Sequence, residues 1–158
     1  MTIRYDNQVA IVTGAGAGLG RSHALALAAR GAKVVVNDLA AADGTLSEGS
    51  LAVVAEIEKA GGEAIANGAN VANMEQVQTM VDQTMEKWGR IDILVNNAGI
   101  LRDKSFANMP IEDFKLVIDV HLIGSANCSK AVWGIMKQQN YGRIVMTTSS
   151  SGLYGNFG

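Results

Sequence analysis

Short β-branched runs alternate with longer stretches of helical periodicity along the chain. Residues 9–13 (Val-Ala-Ile-Val-Thr) form a continuous apolar run, the pattern of a strand buried on both faces of a parallel sheet. A glycine-rich turn at 14–20 leads into residues 21–30, where Ala24, Leu25, Leu27 and Ala28 recur at helical spacing. Gly31 stands where a helix C-cap is expected. Residues 33–37 (Lys-Val-Val-Val-Asn) predict the second strand, and 40–49 a polar, small-residue loop. The next helix is predicted over 50–60, with Ser50 as its N-cap and Gly61-Gly62 as its stop. A weaker strand is expected at 63–69. A helix over 73–88 then carries Val77, Met80, Val81, Thr84 and Met85 on one face, with Gly89 closing it. Strand four is predicted at 91–95, a long helix at 111–139 and strand five at 143–147.

Strands separated by helices of this length are βαβ units, so the expected class is α/β with a parallel sheet and right-handed crossovers. The chain has 158 residues, enough for one domain with a real core, and no linker, repeat or low-complexity segment divides it. Eighteen glycines against one proline fit many tight strand-to-helix turns better than disorder. The net charge is −2 with no basic tract, so neither nucleic acid nor an anionic membrane is expected as partner. The N-terminal residues lack an apolar signal region, no apolar run is long enough to span a bilayer, and the default expectation is the cytoplasm. The single cysteine, Cys128, fits a reducing compartment and reads as a small core residue rather than a nucleophile. No residues are assigned to a metal.

The chemistry begins at the first turn. In Thr13-Gly-Ala-Gly-Ala-Gly-Leu-Gly20 the backbone passes from a strand to a helix with little side chain in the way. A helix N-terminus offers free N–H groups and partial positive charge to a pyrophosphate. Gly14, Gly18, Leu19 and Gly20 are therefore candidate dinucleotide contacts. Asp38, 18 residues after Gly20 and at the end of the second strand, has about the spacing of a ribose-binding acid. Such a carboxylate accepts from both ribose hydroxyls and repels a 2′-phosphate. Its neighbours Asn37 and Leu39 are not basic, and NAD is the expected cofactor.

The spacing TGxxxGxG, Asp38, and Asn96-Asn97-Ala98-Gly99 after strand four together resemble the short-chain dehydrogenase/reductase family, over about residues 8–158. The resemblance implies a Rossmann-type doubly wound sheet in the order 3-2-1-4-5. It implies that Asn97, Ala98 and Gly99 flank the adenosine side of the cofactor, and that Asn70-Val71 stands where the family often has an aspartate and an apolar residue at the adenine. It places the family's catalytic serine at Ser149, three before Gly152, with Ser150 and Ser151 as alternatives. In the family a Tyr-x-x-x-Lys segment follows and exchanges the proton. None occurs in these residues: Tyr154 is too close to Ser149, and the residue four beyond it is Gly158. The chain is accordingly expected to stop short of that segment, to be inactive alone, and to need the missing segment or a second chain. Strand five would then be an edge, with Val117, Val132 and Ile135 at risk of exposure. His121 stands where many members carry an asparagine that holds a relay water; it either takes that role or is an ordinary hydrogen-bonded helix residue. His23 is expected to be a packing or surface residue.

The strings Val36-Asn37-Asp38-Leu39, Asn97-Ala-Gly-Ile-Leu-Arg102-Asp103, Tyr141-Gly-Arg-Ile and Ser151–Gly158 are similar to the (3R)-hydroxyacyl-CoA dehydrogenase units of peroxisomal multifunctional enzymes and their bacterial relatives. This implies oxidation of a 3-hydroxyacyl-CoA thioester, a homo-oligomer when complete, and a peroxisomal location in a eukaryote. A 3-ketoacyl-carrier-protein reductase, a steroid dehydrogenase and a nucleotide-binding fragment without turnover are the alternatives.

Overall fold

The computed structural model describes residues 3–155, so the last three positions of the Ser151–Gly158 string lie outside the described residues. Five strands, β1 (Val9–Thr13), β2 (Lys33–Asn37), β3 (Ala64–Asn67), β4 (Ile93–Asn96) and β5 (Arg143–Met146), form one sheet in the order β3-β2-β1-β4-β5. Every pairing is parallel. Around it run α1 (Gly18–Ala28), α2 (Glu48–Lys59), α3 (Met74–Trp88), α4 (Ile111–Ile118), α5 (Gly124–Gln138) and the short α6 (Ser151–Tyr154). The architecture is the Rossmann-type doubly wound α/β fold.

Side chains alternate across a strand, so each strand feeds two cores. On one face Ala10, Val12, Val34, Val36 and Val95 pack with Ala24, Val53 and Ile57 of α1 and α2. On the other, Ile11, Val35 and Leu94 pack with Val77, Met80 and Val81 of α3 and with Cys128, Val132 and Met136 of α5. At the amino edge the fully buried Asp92 accepts from the Val9 N–H at 2.9 Å and from Arg90 Nε and Nη2 at 2.8 and 2.7 Å. These bonds satisfy its charge and fix β1 against β4.

Four expectations change. The cap of α2 is Ser47, not Ser50: Ser47 Oγ accepts from the Ser50 N–H, and the helix begins at Glu48. Ser50 lies buried inside the first turn, its hydroxyl donating to the Ser47 carbonyl. β4 starts at Ile93 because both polar backbone groups of Ile91 are taken by the Gln139 side chain, at 3.0 and 2.7 Å. The long helix is not uniform either: Asp119–Ile123 is π-helical between α4 and α5, and His121 sits in that stretch. π-Turns of this kind insert one residue without breaking the helix.

Val132 is also not exposed. It is fully buried, because α3 packs over α5 and supplies the neighbours that a helical pattern alone does not reveal. The apolar exposure on α4 and α5 falls instead on residues such as Phe114 and Trp133, and on Leu122 between them. β5 pairs only with β4 among the described residues, and Val145 and Met146 are about half exposed.

Candidate functional site

The predicted residues converge at the carboxyl edge of the sheet, where doubly wound folds bind their ligands. Thr13, the last residue of β1, anchors this edge. Its Oγ1 accepts from the N–H groups of Asn97 and Ala98, both at 3.0 Å, and donates to the Val95 carbonyl at 3.3 Å. Asn97 Nδ2 returns to the Thr13 and Gly14 carbonyls at 2.9 and 3.2 Å. Asn97 and Ala98 therefore brace the turn after β1. Thr13 was not singled out from sequence, although its place as the polar end of a buried strand before a glycine turn is a usable signal.

The glycines of the turn do different things. Gly14 has φ +61°, and a Cβ on Gly20 would lie 2.2 Å from the Gly14 carbonyl oxygen, so these two are required by the turn itself. Gly18 also has a left-handed φ, +55°, that favours glycine, but a Cβ there would meet nothing within 4 Å, so one side of the turn is open. The N-cap of α1, Ala17, makes no side-chain cap, and the first turn holds no acid. Its leading N–H groups stay available to an anion. An open glycine turn and an uncapped helix start fit a dinucleotide pyrophosphate. Leu19 is 66% exposed at the rim.

Asp38 follows β2, half-buried, its N–H bonded to the Asn67 carbonyl. Its Oδ2 lies over Gly16, where a Cβ would approach to 2.1 Å, and accepts from Ser47 Oγ at 2.9 Å. Asn37, buried beside it, donates to Asn67 Oδ1 and the Ala69 carbonyl at 3.1 and 3.0 Å and so ties β2 to the loop after β3. In that loop Asn70 Oδ1 accepts from the Ala72 N–H at 3.0 Å, which uses one of the lone pairs available to an adenine amino group. Val71 is 6% exposed and packs into the core beneath the site, and its carbonyl accepts from Asn127.

The other side of the edge is more open. Ser149, after β5, is exposed, and its Oγ accepts from the Ser151 N–H at 3.2 Å. Ser151 and Gly152, not Ser149, line a cleft of about 970 Å³ together with Ile100, Phe106, Phe114 and His121. The His121 ring lies on Gly99, where a Cβ would come 2.5 Å from Cε1. Its Nε2 is 3.0 Å from the Ile100 nitrogen and 2.9 Å from the Ile100 oxygen. One tautomer accepts from the former and the other donates to the latter. In either state His121 is pinned to the loop after β4. Nδ1 has no partner among the described residues. Tyr154 is exposed on α6, and His23 is exposed on α1. Burial pushes the Cys128 thiol up to about 12, which leaves it unreactive.

With this geometry in place, comparison with known proteins adds three likenesses and one family match. The family model for short chain dehydrogenases matches residues 8–158. The peroxisomal multifunctional enzyme type 2 of Drosophila melanogaster is 55% identical over 99% of the chain, which spans 26% of that enzyme. The 3-oxoacyl-[acyl-carrier-protein] reductase of Synechocystis is 52% identical over 96% of the chain, which spans 59% of it. A 7α-hydroxysteroid dehydrogenase, solved with NADH and 7-oxo glycochenodeoxycholic acid, superposes with a TM-score of 0.88 at 34% identity, covering 98% of this chain and 58% of that one.

Proposed function

The chain belongs to the short-chain dehydrogenase family, and we propose that the protein containing it is an NAD-linked dehydrogenase that oxidises a (3R)-3-hydroxyacyl-CoA to the 3-ketoacyl-CoA. Asp38 carries the cofactor half of this reading. Its carboxylate lies beside the open glycine turn, and no lysine or arginine occurs in residues 14–20 or 37–49. A 2′-phosphate there would meet a negative charge with no cation to offset it. The likeness to the Drosophila enzyme supports the acyl-CoA substrate, and the Synechocystis reductase supports a ketoacyl thioester as the other end of the same reaction.

Bound at this edge, NAD supplies the hydride acceptor; the chain's residues bind and orient. Gly14, Gly18, Leu19 and Gly20 would hold the pyrophosphate and Asp38 the ribose, while Asn70, Val71, Asn97, Ala98 and Gly99 would shape the adenosine side. Ser149 would donate to the reacting oxygen, and the His121 Nδ1, without a partner among the described residues, would be available to a relay water. None of the three tyrosines has a lysine four residues on, so the proton acceptor comes from a segment beyond these residues. The likeness to peroxisomal enzymes supports a peroxisomal location for the protein in a eukaryote, and the cytoplasm in a bacterium and a homo-oligomeric state are proposed from the family resemblance alone.

The test is turnover of the full-length protein with NAD on (3R)- and (3S)-3-hydroxybutyryl-CoA. NADH formation confined to the 3R substrate is expected. Reduction of 3-ketoacyl-carrier-protein by NADPH, with no oxidation of the CoA thioester, would replace this reading with the reductase one.

A further inference from the structure

Ser47 belongs to no cofactor motif, yet it is the side chain that touches the ribose acid. A hydroxyl has one proton and two lone pairs. Ser47 Oγ spends a lone pair on the Ser50 N–H, 3.1 Å away, and thereby caps α2. Its proton goes to Asp38 Oδ2 at 2.9 Å. The cap fixes where the oxygen sits, and this leaves the proton directed at the carboxylate. Close packing holds the two elements together: a Cβ on Gly49 would lie 2.7 Å from the Gly16 carbonyl oxygen, and one on Gly16 would lie 2.1 Å from Asp38 Oδ2. The glycine turn, the acid and the first turn of α2 are therefore one packed unit. Asp38 Oδ1, by contrast, accepts no hydrogen bond among the described residues.

We propose that Ser47 is a positioning residue for cofactor choice: by holding Oδ2 it presents Oδ1 to the adenosine ribose and sets the preference for a free 2′-hydroxyl over a 2′-phosphate. The inference rests on reading Asp38 as the ribose acid. A carboxylate turns about its last bond with little resistance, because terminal sp³–sp² torsions are broad. Ser47 supplies the restraint from the far side of the carboxylate, and it does so through a helix cap that is formed whether or not cofactor is bound.

The test is direct titration of NAD and NADP into the full-length protein, with a thermal melt for each variant. The set is wild type, Ser47→Ala, Ser47→Gly, Ser47→Thr, Asp38→Asn and the double Ser47→Ala/Asp38→Asn. Ser47→Gly matters because glycine caps a helix almost as well as serine while offering no proton, so it separates positioning from stability. Loss of the hydroxyl is expected to lower the NAD-over-NADP preference about fivefold, the order of one hydrogen bond, in both the Ala and Gly variants. Ser47→Thr should restore it. On the Asp38→Asn background Ser47→Ala should leave the ratio unchanged while still lowering the melting midpoint. A ratio that stays at the wild-type value in Ser47→Ala and Ser47→Gly would reduce Ser47 to a helix cap. An equal shift with and without Asp38 would show that it acts by another route. If Asp38→Asn itself leaves the ratio unchanged, the ribose reading fails first and the role of Ser47 with it.

Discussion

At the carboxyl end of β1 the turn is tied from both sides, by Thr13 to the loop after β4 and by Asn97 back to the Thr13 and Gly14 carbonyls. Beyond β5, residues 147–155 are exposed throughout, and the Ser149 hydroxyl meets only the backbone of its own turn. The two regions lie on one sheet edge and both carry candidate site residues. They differ in what holds them. β1 is buried at all five positions, whereas β5 is paired on one side and open on the other. A pyrophosphate needs a rigid, preformed cradle, and packing around β1 would provide one. A group that meets a substrate oxygen can be seated later, by whatever packs over β5.

The contrast predicts unequal responses to mutation. Gly20→Ala forces a Cβ into the Gly14 carbonyl and the Asn97 amide, and should cost about 3 kcal/mol of stability in a chemical denaturation curve. An unchanged midpoint would mean that the turn is less constrained than its geometry indicates. Ser149→Ala in the full-length protein should leave stability and NAD affinity alone while lowering kcat about 10²-fold, roughly 2.7 kcal/mol of lost stabilisation of the reacting oxygen. Ser150→Ala or Ser151→Ala as the crippling change would move the assignment along the turn, and the position of Ser151 on the cleft wall makes that comparison worth running.

A smaller effect is expected at Asp38. Replacing it with alanine and Leu39 with arginine should swing cofactor preference towards NADP by at least about 1.4 kcal/mol, or tenfold, in steady-state kinetics. Smallest in energy is the β5 edge. Val145→Lys puts a charge on an exposed edge strand and should change stability by no more than about 0.5 kcal/mol. It should nevertheless reduce the self-association that light scattering is expected to show for residues 1–158 expressed alone. Equal scattering by both forms would shift attention to Phe114, Leu122 and Trp133.

Much of the cofactor half was legible in the sequence because each signal there is local. A glycine turn between a buried strand and a helix, an acid closing the next strand and an asparagine pair closing the fourth can all be read one at a time. That the strands run parallel follows from crossover helices too long for hairpins, whereas their order is what the family resemblance implies. What stayed hidden depends on contacts between distant segments. Ser50 reads as the cap of α2 from sequence, and the bond from its own N–H to Ser47 Oγ puts the cap three residues earlier. The burial of Val132 is decided by α3, and the π-helical stretch at His121 leaves the apolar pattern on either side intact. The reactive half has no such local signature, since three adjacent serines differ only in how the turn after β5 points them.

The most direct test of the account compares initial rates of the full-length protein on a (3R)-3-hydroxyacyl-CoA with NAD and with NADP, followed by NAD(P)H absorbance. A kcat/KM at least about tenfold higher with NAD is expected, set by Asp38 at the end of β2. Equal values, or a preference for NADP, would contradict it.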